Sequence, residues 1–401
     1  MQQELFKMIF LVEIIFIVAS YLDAKDLGSL RLAHSKLAKI CAPLIARNGI
    51  SIMNTTEGLR DLQQLLKCGE IADNIRQLTL YFGDWPICIR PHDWKSHRLL
   101  YGHSISNKKL LHTRGREHAD KAFIAYSKFI AENRNRDFHE DIDTIFKALV
   151  SLKNLNSIVI SHMQNWAWNP PQSQKYQKLL EKIWMAPCTT NEVAAGVQTF
   201  LLAFGSGSAN QSLEALTVKG AFDPAHVFLG PGTSCFRGIR RLCVNSFDIR
   251  QNQDTIQNFL QAFPDLVYLS ISFQGWDYYE GWGHEYPELF KDTFWPELKT
   301  LYINDLWISE EELYGIIKNH HKDLRSFTIG NAALTSGSWQ SFFTRMRQLH
   351  TKIEVIITGE LFGRTCADLL DLSQDAFHCM FTKFMIDKNS EWPFRKHLEL
   401  S

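Results

Sequence analysis

A short apolar phrase of the form apolar-x-x-apolar-x-apolar recurs along most of the chain. Alternation of apolar and other residues within it predicts a β-strand with one buried face. Seven copies lie at Ile75-Leu78-Leu80, Leu155-Ile158-Ile160, Leu213-Leu216-Val218, Ile239-Leu242-Val244, Leu266-Leu269-Ile271, Leu298-Leu301-Ile303 and Leu324-Phe327-Ile329, and a weaker eighth at Val355-Ile357. The five copies from Leu213 to Leu324 begin 26, 27, 32 and 26 residues apart. So regular a period is typical of a solenoid of stacked repeats.

Segments with helical periodicity lie between the phrases, at 141–152, 252–263, 310–320 and 338–349. Ser309 and Glu312 have the spacing of a capping box, which predicts the start of the third of these helices. A repeat of one strand and one helix cannot bury both apolar faces alone, so we expect neighbouring repeats to stack. The predicted fold class is therefore α/β (or α+β), with most of the chain in an irregular solenoid.

The start of the chain has a different pattern, which predicts three short helices between positions 10 and 47. The apolar residues on one stripe of the first helix, at i, i+3, i+4 and i+7 spacing, are Leu11, Ile14, Ile15, Val18 and Leu22. Further apolar residues off that stripe are Phe10, Phe16, Ile17 and Tyr21. A helix that is apolar on most of its circumference needs two burial partners. We therefore expect another polypeptide to cover part of this small bundle.

Four short segments of this region carry a resemblance to a known family. They are Val12-Glu13-Ile14-Ile15, Ser20-Tyr21-Leu22-Asp23, Asp26-Leu27-Gly28-Ser29-Leu30-Arg31-Leu32 and Ser35-Lys36-Leu37. Together they resemble an F-box, particularly that of the large fungal F-box families. The resemblance implies a three-helix F-box domain at 8–50 that binds the Skp-type adaptor of a cullin-RING (SCF) ubiquitin ligase. The rest of the chain would then select a protein substrate for ubiquitin-dependent degradation. The adaptor-binding residues that we expect are Phe10, Leu11, Ile14, Ile15, Val18, Leu22, Leu27, Leu30 and Leu37.

The chain departs from the family at the start of the box, where Phe10-Leu11 stands in place of the usual Leu-Pro. Proline in a first helical turn fixes φ and lacks an N–H that would have no partner there. Its absence is therefore expected to loosen the start of the helix. The alternative interpretation is a non-ligase interaction scaffold with a decayed F-box, and a helical cap without any partner is a further alternative.

The repeated phrases resemble leucine-rich repeats, which the resemblance places at 51–360 with insertions at 84–137 and 273–295. The phrase of that family, L-x-x-L-x-L-x-x-N/C-x-L, has Asn or Cys two positions before its last apolar residue. This chain has Leu306 and Ala332 at that position. We therefore expect divergent repeats with irregular turns. Segment 361–401 is expected to supply a C-terminal capping helix and a tail, which a solenoid needs to close its open end.

The two insertions are open to different interpretations. Segment 84–137 is rich in Arg, Lys and His, and we interpret it as a solvated surface insertion ending in a helix near 119–132. A basic patch for an acidic partner or a phosphorylated motif is the alternative. In segment 273–295 the aromatic residues either contact a substrate or join the core. The candidate substrate-binding residues there are Trp276, Tyr278, Tyr279, Trp282 and Tyr286.

Composition narrows the possible functions. The 401 residues carry no net charge and 45% of them are hydrophobic, which indicates a globular protein and argues against a nucleic-acid or membrane-surface binder. The apolar run at 5–19 contains Lys7 and Glu13, and its length of about 15 residues falls short of the ~20 that span a bilayer. We therefore expect neither a membrane anchor nor a cleaved signal. The eight cysteines form no C-x-x-C pair, which is typical of reduced thiols in the cytoplasm or nucleus.

Motifs that would indicate catalysis are absent from the sequence. It has no H-E-x-x-H, no G-x-x-x-x-G-K-[ST] and no G-x-S-x-G. The histidines of the first insertion lack the spacing of zinc ligands. We therefore expect no enzyme activity in this chain, no cofactor and no metal. Under the F-box resemblance, its contribution to catalysis would be to hold a substrate close to the ubiquitin-loaded enzyme.

Overall fold

The structure is a computed structural model that describes residues 12–22, 24–46, 49–83, 85–88, 90–94, 116–162, 174–185, 192–205, 212–227, 236–248, 253–274, 288–290, 293–349, 353–363, 370–371, 375–387 and 389–393. It forms two compact units, Met1–Glu214 and Ala215–Ser401. The boundary between them falls inside the segment for which the sequence predicts repeats.

The first unit begins with three helices and continues as a mixed α/β structure. Its described elements are α1 (12–19), α2 (Ala24–Ala33), α3 (Ser35–Ala46), β1 (Ile50–Met53), α4 (Thr56–Leu66), α5 (Gly69–Ala72), β2 (Gln77–Phe82), α6 (Arg116–Arg134), α7 (Phe138–Ser151), β3 (Ser157–His162), α8 (Gln174–Ile183) and α9 (Glu192–Gly205). β1, β2 and β3 are parallel neighbours in that order. Leu78 pairs with Ile50 on one side and Ile158 on the other, so the apolar phrases of adjacent strands are in register.

Side-chain caps and one close approach position the helices of this unit. The Thr55 hydroxyl accepts a hydrogen bond from the Gly58 N–H at 3.1 Å and so caps α4. α9 lies against the sheet at Gly196, where a Cβ would come within 2.6 Å of the Phe82 ring. The helix reaches the strand this closely only because the residue at 196 has no side chain.

The second unit consists of a larger parallel sheet with helices between its strands. Its described elements are β4 (Ala215–Lys219), a 3₁₀ turn (Pro224–His226), β5 (Arg241–Asp248), α10 (Gln253–Gln261), β6 (Tyr268–Gln274), β7 (Thr300–Asn304), β8 (Trp307–Ser309), α11 (Glu310–His320), β9 (Ser326–Ser336), α12 (Trp339–Gln348), β10 (Glu354–Phe362), β11 (Leu370–Asp371) and α13 (Asp375–Ile386). Strands β4, β5, β6, β7, β9 and β10 are parallel neighbours in that order. β8 adds to β9, and β11 pairs antiparallel with β10.

The repeated phrases align across this sheet and form its buried face. The first aligned row is Leu216, Leu242, Leu269, Leu301 and Phe327, and the second is Val218, Val244, Ile271, Ile303 and Ile329. All ten side chains are buried. The residues between them on the same strands, such as Tyr268, Ser270 and Tyr302, are half-exposed. Because one face is buried and the other faces solvent, apolar and polar residues alternate along each strand. The predicted mixed α/β class and the predicted strands are confirmed.

Past the aligned rows the strands bend and continue. Asp305 and Asn331 lie at the bends of β7 and β9 with φ of 55° and 44°, a left-handed conformation that Asp and Asn tolerate better than most residues. The Asp305 carboxylate accepts a hydrogen bond from the Ser272 hydroxyl at 3.0 Å, which links β6 to this bend. Leu306 and Ala332, where the leucine-rich-repeat pattern has Asn or Cys, are fully buried. The polar contacts at the bends therefore come from Asp305 and Asn331, the residues that precede Leu306 and Ala332.

The ends of β5 and β6 and the segment after β4 carry a row of phenylalanines that contact one another edge-on. Phe222, Phe247 and Phe273 are buried, and successive ring centroids lie 5.4 and 5.9 Å apart. Phe259 of α10 packs against the first two rings at 5.0 and 5.9 Å. Edge and tilted contacts of this kind add to the free energy gained by burying the rings.

The C-terminal helix α13 packs against α12. Phe381 contacts the Phe343 ring edge-on, with centroids 4.8 Å apart. Arg347 of α12 donates hydrogen bonds from Nη1 to the carbonyl oxygens of Phe384 and Ser390 at 3.1 and 3.0 Å. The guanidinium therefore satisfies the Phe384 carbonyl in the last turn of α13, which has no partner within the helix, and ties the chain at Ser390 to the same point.

Candidate functional site

The N-terminal bundle is built from helices that end and begin within a few residues of one another. α1 ends where the Ser20 hydroxyl donates to the Ile17 carbonyl oxygen at 2.7 Å. α2 carries Asp26 in its first turn, where a carboxylate suits the helix dipole. At the start of α3, His34 Nδ1 accepts a hydrogen bond from the Lys36 N–H at 3.1 Å. Asp23, the residue before α2, lies outside the described residues.

The core of this bundle is small. Its buried residues are Ala19, Leu27, Cys41 and Leu44, against which Leu22, Leu30 and Ile45 pack in part. Burial raises the pKa of the Cys41 thiol, so that side chain behaves as a small apolar group. One of the four buried residues of this cluster is alanine and one is cysteine, and although Ile40, Ala42 and Ala46 of α3 are also buried, large apolar side chains of α1 stay exposed.

The uncovered apolar residues on and just after α1 include a stripe. Ile14, Ile17 and Val18 of α1 and Tyr21, two residues past its end, are 42%, 57%, 57% and 86% exposed and follow the i, i+3, i+4, i+7 spacing of one helix side. We call these four residues the exposed stripe. Ile15, Ala19 and Leu22, on the other side, contact or approach the bundle core. Val12 and Phe16 of α1 are also 41% and 44% exposed, and Leu32 at the end of α2 is 83% exposed.

Exposed apolar residues are concentrated in this bundle. In the part of the chain that the structure describes, seven of the fifteen exposed large hydrophobic side chains lie between Val12 and Leu32. The other eight are spread over the remaining described ranges, from Ile87 to Ile386. Single exposed hydrophobic residues need no explanation, whereas a helix face made of them marks a contact surface.

Seven of the nine predicted adaptor-binding residues are described, and they lie in three environments. Ile14 and Val18 are exposed, and Leu27 lies in the bundle core. The half-buried members are Ile15, Leu22, Leu30 and Leu37. Phe10 and Leu11 lie outside the described residues. Ile17, Tyr21 and Leu32 are exposed but were not among the nine. The same helical spacing would have identified Ile17 and Tyr21 if it had been continued from Ile14 to Ile17 and not to Ile15.

The candidate substrate-binding residues Trp276, Tyr278, Tyr279, Trp282 and Tyr286 all lie outside the described residues. The chain that follows them is described from Glu288, and there Leu289, Phe290 and Trp295 are buried. Glu312 of α11 accepts a hydrogen bond from the Phe290 N–H at 2.9 Å. This contact anchors the segment that follows the second insertion to α11.

The first insertion contains a core of its own, which corrects the interpretation of 84–137 as only a solvated segment. Its helix, predicted near 119–132, is α6. Trp85, Trp94, Tyr126 and Phe129 are buried together with side chains of α8. The Tyr126 hydroxyl donates to the Pro86 carbonyl oxygen at 2.5 Å. Of the basic and histidine residues that the alternative interpretation assigns to a patch, those between 95 and 115 lie outside the described residues.

Other classes of site find little support in the described ranges. No three His, Cys, Asp or Glu side chains among the described residues lie close enough to hold a metal ion. No helix within the described ranges is both long enough and apolar enough to cross a bilayer. Comparison with known proteins yields no family model that matches the chain and no curated protein with significant similarity to it.

Proposed function

We propose that this protein is the substrate-recognition subunit of an SCF-type cullin-RING ubiquitin ligase. In this proposal the N-terminal bundle is an F-box that binds a Skp-type adaptor, and the rest of the chain binds a protein substrate. The observation that carries the proposal is the exposed stripe of α1. Burying one aliphatic side chain of this size contributes about 1.5–3 kcal/mol, so the three aliphatic residues of the stripe, together with Tyr21, favour a protein partner.

The regular sheet supports the second half of the proposal. Strands β4, β5, β6, β7, β9 and β10 pair in the order in which they occur in the sequence, and their apolar phrases align. We propose that the chain from 51 to 360 is a divergent leucine-rich-repeat solenoid and that α13 caps its C-terminal end. An array of this kind presents a long surface to a partner, because each repeat contributes one strand to it.

The proposed role requires no chemistry from this chain. The adaptor would connect the protein to the cullin-RING core, and the repeat region would hold the substrate. Substrate lysines would then be close to the ubiquitin-loaded enzyme, and the raised effective concentration would accelerate transfer. The proposal places the protein in the cytoplasm or the nucleus and assigns it neither cofactor nor metal.

The test is binding of the full chain to a recombinant Skp-type adaptor by isothermal titration calorimetry. Ile17→Asp should weaken binding by several kcal/mol, because the complex would bury an unpaired carboxylate. Ile124→Asp is the matched control: Ile124 is 67% exposed on α6, far along the chain from the bundle, and this variant should bind as the wild type does.

Two results would contradict parts of the proposal. Unchanged affinity of Ile17→Asp would remove the exposed stripe from the interface. Wild-type protein that does not bind, with binding gained on Leu11→Pro, would indicate a decayed F-box in a scaffold that acts outside a ligase.

A further inference from the structure

The half-exposed face of the second unit's sheet has an electropositive end at β4 and β5. Thr217 and Cys243 are directly paired residues of these two strands. Arg241 lies two residues before Cys243, and Lys219 lies two residues after Thr217. Since residues two apart in a strand point to the same side of the sheet, all four side chains share the face opposite the buried leucines.

The two cations are available to a partner. Arg241 and Lys219 are both exposed, and neither forms an ion pair with another described residue. The Arg241 guanidinium lies over the Tyr268 ring, with Cζ 4.8 Å from its centroid. This cation–π contact orients the guanidinium without neutralising its charge.

Both charges act on the same point of the face. Burial raises the pKa of the Cys243 thiol above its ordinary value. A hydrogen bond with Thr217 and the positive charges of Arg241 and Lys219 partly offset this rise in the pKa. An anionic group seated above Thr217 and Cys243 would therefore be attracted by both cations, and the Thr217 hydroxyl offers it a hydrogen-bond donor.

The opposite end of the face carries the opposite charge. In the register row of Arg241 the next residues are Tyr268, Thr300 and Ser326, and the row ends at the exposed Glu354 of β10. Four strand steps separate Arg241 from Glu354, which corresponds to about 19 Å. A nucleic acid would need many phosphate contacts along the face, whereas a short acidic protein segment needs only the two cations at the β4–β5 end.

We propose that the β4–β5 end of this face binds an acidic segment of a partner protein, with carboxylates of that segment seated between Arg241 and Lys219. The inference rests on the proposed function for the identity of this partner, which would be the ligase substrate. It goes beyond that function in stating the chemistry that the substrate must present.

The experiment measures fluorescence anisotropy of a labelled peptide of alternating Glu and Ser as the full chain is added. The wild type should bind it more tightly than the matching Gln–Ser peptide. Lys219→Glu combined with Arg241→Glu should weaken binding by about tenfold or more, because two attractive contacts become repulsive. Lys322→Glu combined with Lys383→Glu changes the net charge equally at two exposed sites elsewhere. This control pair should stay within about twofold of the wild type.

Equal binding of the Glu–Ser and Gln–Ser peptides would overturn the inference. So would equal losses in the two charge-reversed pairs, or tighter binding of an oligothymidylate of the same net charge. Adaptor titration of the same samples separates this inference from the proposed function. Adaptor binding without peptide binding would overturn the acidic-segment surface alone, and peptide binding without adaptor binding would overturn the ligase role alone.

Discussion

The imidazole of His320 accepts a hydrogen bond at Nε2 from the backbone N–H of Trp295, with the two nitrogens 3.0 Å apart. Nδ1 lies 2.8 Å from the Ile316 carbonyl oxygen, to which it donates as the N–H of the neutral tautomer. The rings of Phe294 and Trp295 stack on the imidazole, with centroids at 5.3 and 5.7 Å. His320 thus holds the chain that returns from the second insertion, and it does so in its neutral form.

This geometry predicts a loss of stability in mild acid. Burial lowers the pKa of His320 below its ordinary value, because the buried ring is harder to charge. As the pH falls below about 6.5, the imidazole takes up a proton in the unfolded chain before it does so in the folded one, so the free energy of unfolding decreases. The stabilisation that comes from neutral His320 is fully present above that pH. Below it, the free energy of unfolding falls by at most about 1.4 kcal/mol per pH unit through this residue.

The measurement compares urea unfolding of wild-type protein and His320→Gln between about pH 7.5 and pH 5, the range in which histidine titrates. The chain has 15 histidines, so only the difference between the two proteins reports on this one. The wild type should lose more stability than the variant on acidification. Parallel pH profiles would mean that the folded protein charges His320 as easily as the unfolded chain does.

A second prediction concerns two helical glycines. Gly196→Ala in α9 should destabilise the protein by about 1–3 kcal/mol, because the new Cβ would lie 2.6 Å from the Phe82 ring and force packing to shift. Gly315→Ala in α11 is the control. No atom lies within 4 Å of its added Cβ, so the gain in helix propensity should stabilise the protein by about 0.5–1 kcal/mol. Opposite signs in thermal unfolding are expected, and stabilisation by both changes would contradict the close approach of α9 to β2.

A third prediction concerns the ion pair of Arg136 and Asp141, whose nearest nitrogen and oxygen lie 2.7 Å apart and are mostly buried. Arg136 also donates to the Asn54 carbonyl and side-chain oxygens, both at 2.9 Å, and so ties the turn after β1 to α7. Arg136→Met should cost about 2–4 kcal/mol, because it leaves the Asp141 carboxylate buried without its partner. Arg134→Met at the exposed end of α6 should change the free energy of unfolding by less than about 0.5 kcal/mol. Similar effects of the two changes in urea unfolding would show that the pair is solvated.

The sequence predicted the strands well because each repeated phrase has a burial pattern that only a one-sided strand satisfies. Helix α11 was predicted at its observed bounds, since Ser309 caps it through the Glu312 N–H at 3.2 Å. The row formed by Phe222, Phe247 and Phe273 was missed, although its members lie 25 and 26 residues apart and share the repeat period. Phe222 lies past the end of β4, and β5 has a register shift between Val244 and Phe247, so the alternation that predicts a strand is interrupted before both. Phe273 continues the alternation of Leu269 and Ile271 on β6.

The orientation of α1 could not be predicted from periodicity. A helix that is apolar on most of its circumference fits several stripes equally well, so spacing does not decide which one faces inward. Packing decides it, because the small side chain of Ala19 lets α1 approach Leu27 and Cys41. The inward side is therefore the one with Ala19, and Ile17 and Tyr21 are left facing solvent.

The last prediction separates stability from binding within the N-terminal bundle. Leu27→Ala should reduce the stability of the bundle by about 2–4 kcal/mol, since it removes a large buried side chain from the cluster that holds α1 against α2 and α3. Ile17→Ala removes an exposed side chain and should change stability by less than about 0.5 kcal/mol. Hydrogen exchange of α2 and α3 amides measures both effects locally, so unfolding of the rest of the chain does not obscure them.

The same pair of variants tests what the exposed stripe is for. Ile17→Ala should weaken adaptor binding by roughly 1–3 kcal/mol while the exchange rates stay at their wild-type values, because its side chain would be buried only in the complex. Leu27→Ala should raise the exchange rates first and weaken binding only through the smaller folded fraction. Faster exchange in Ile17→Ala, equal to that in Leu27→Ala, would show that the protein buries this side of α1 against itself. The stripe would then belong to the bundle core, and the main argument for an adaptor partner would be lost.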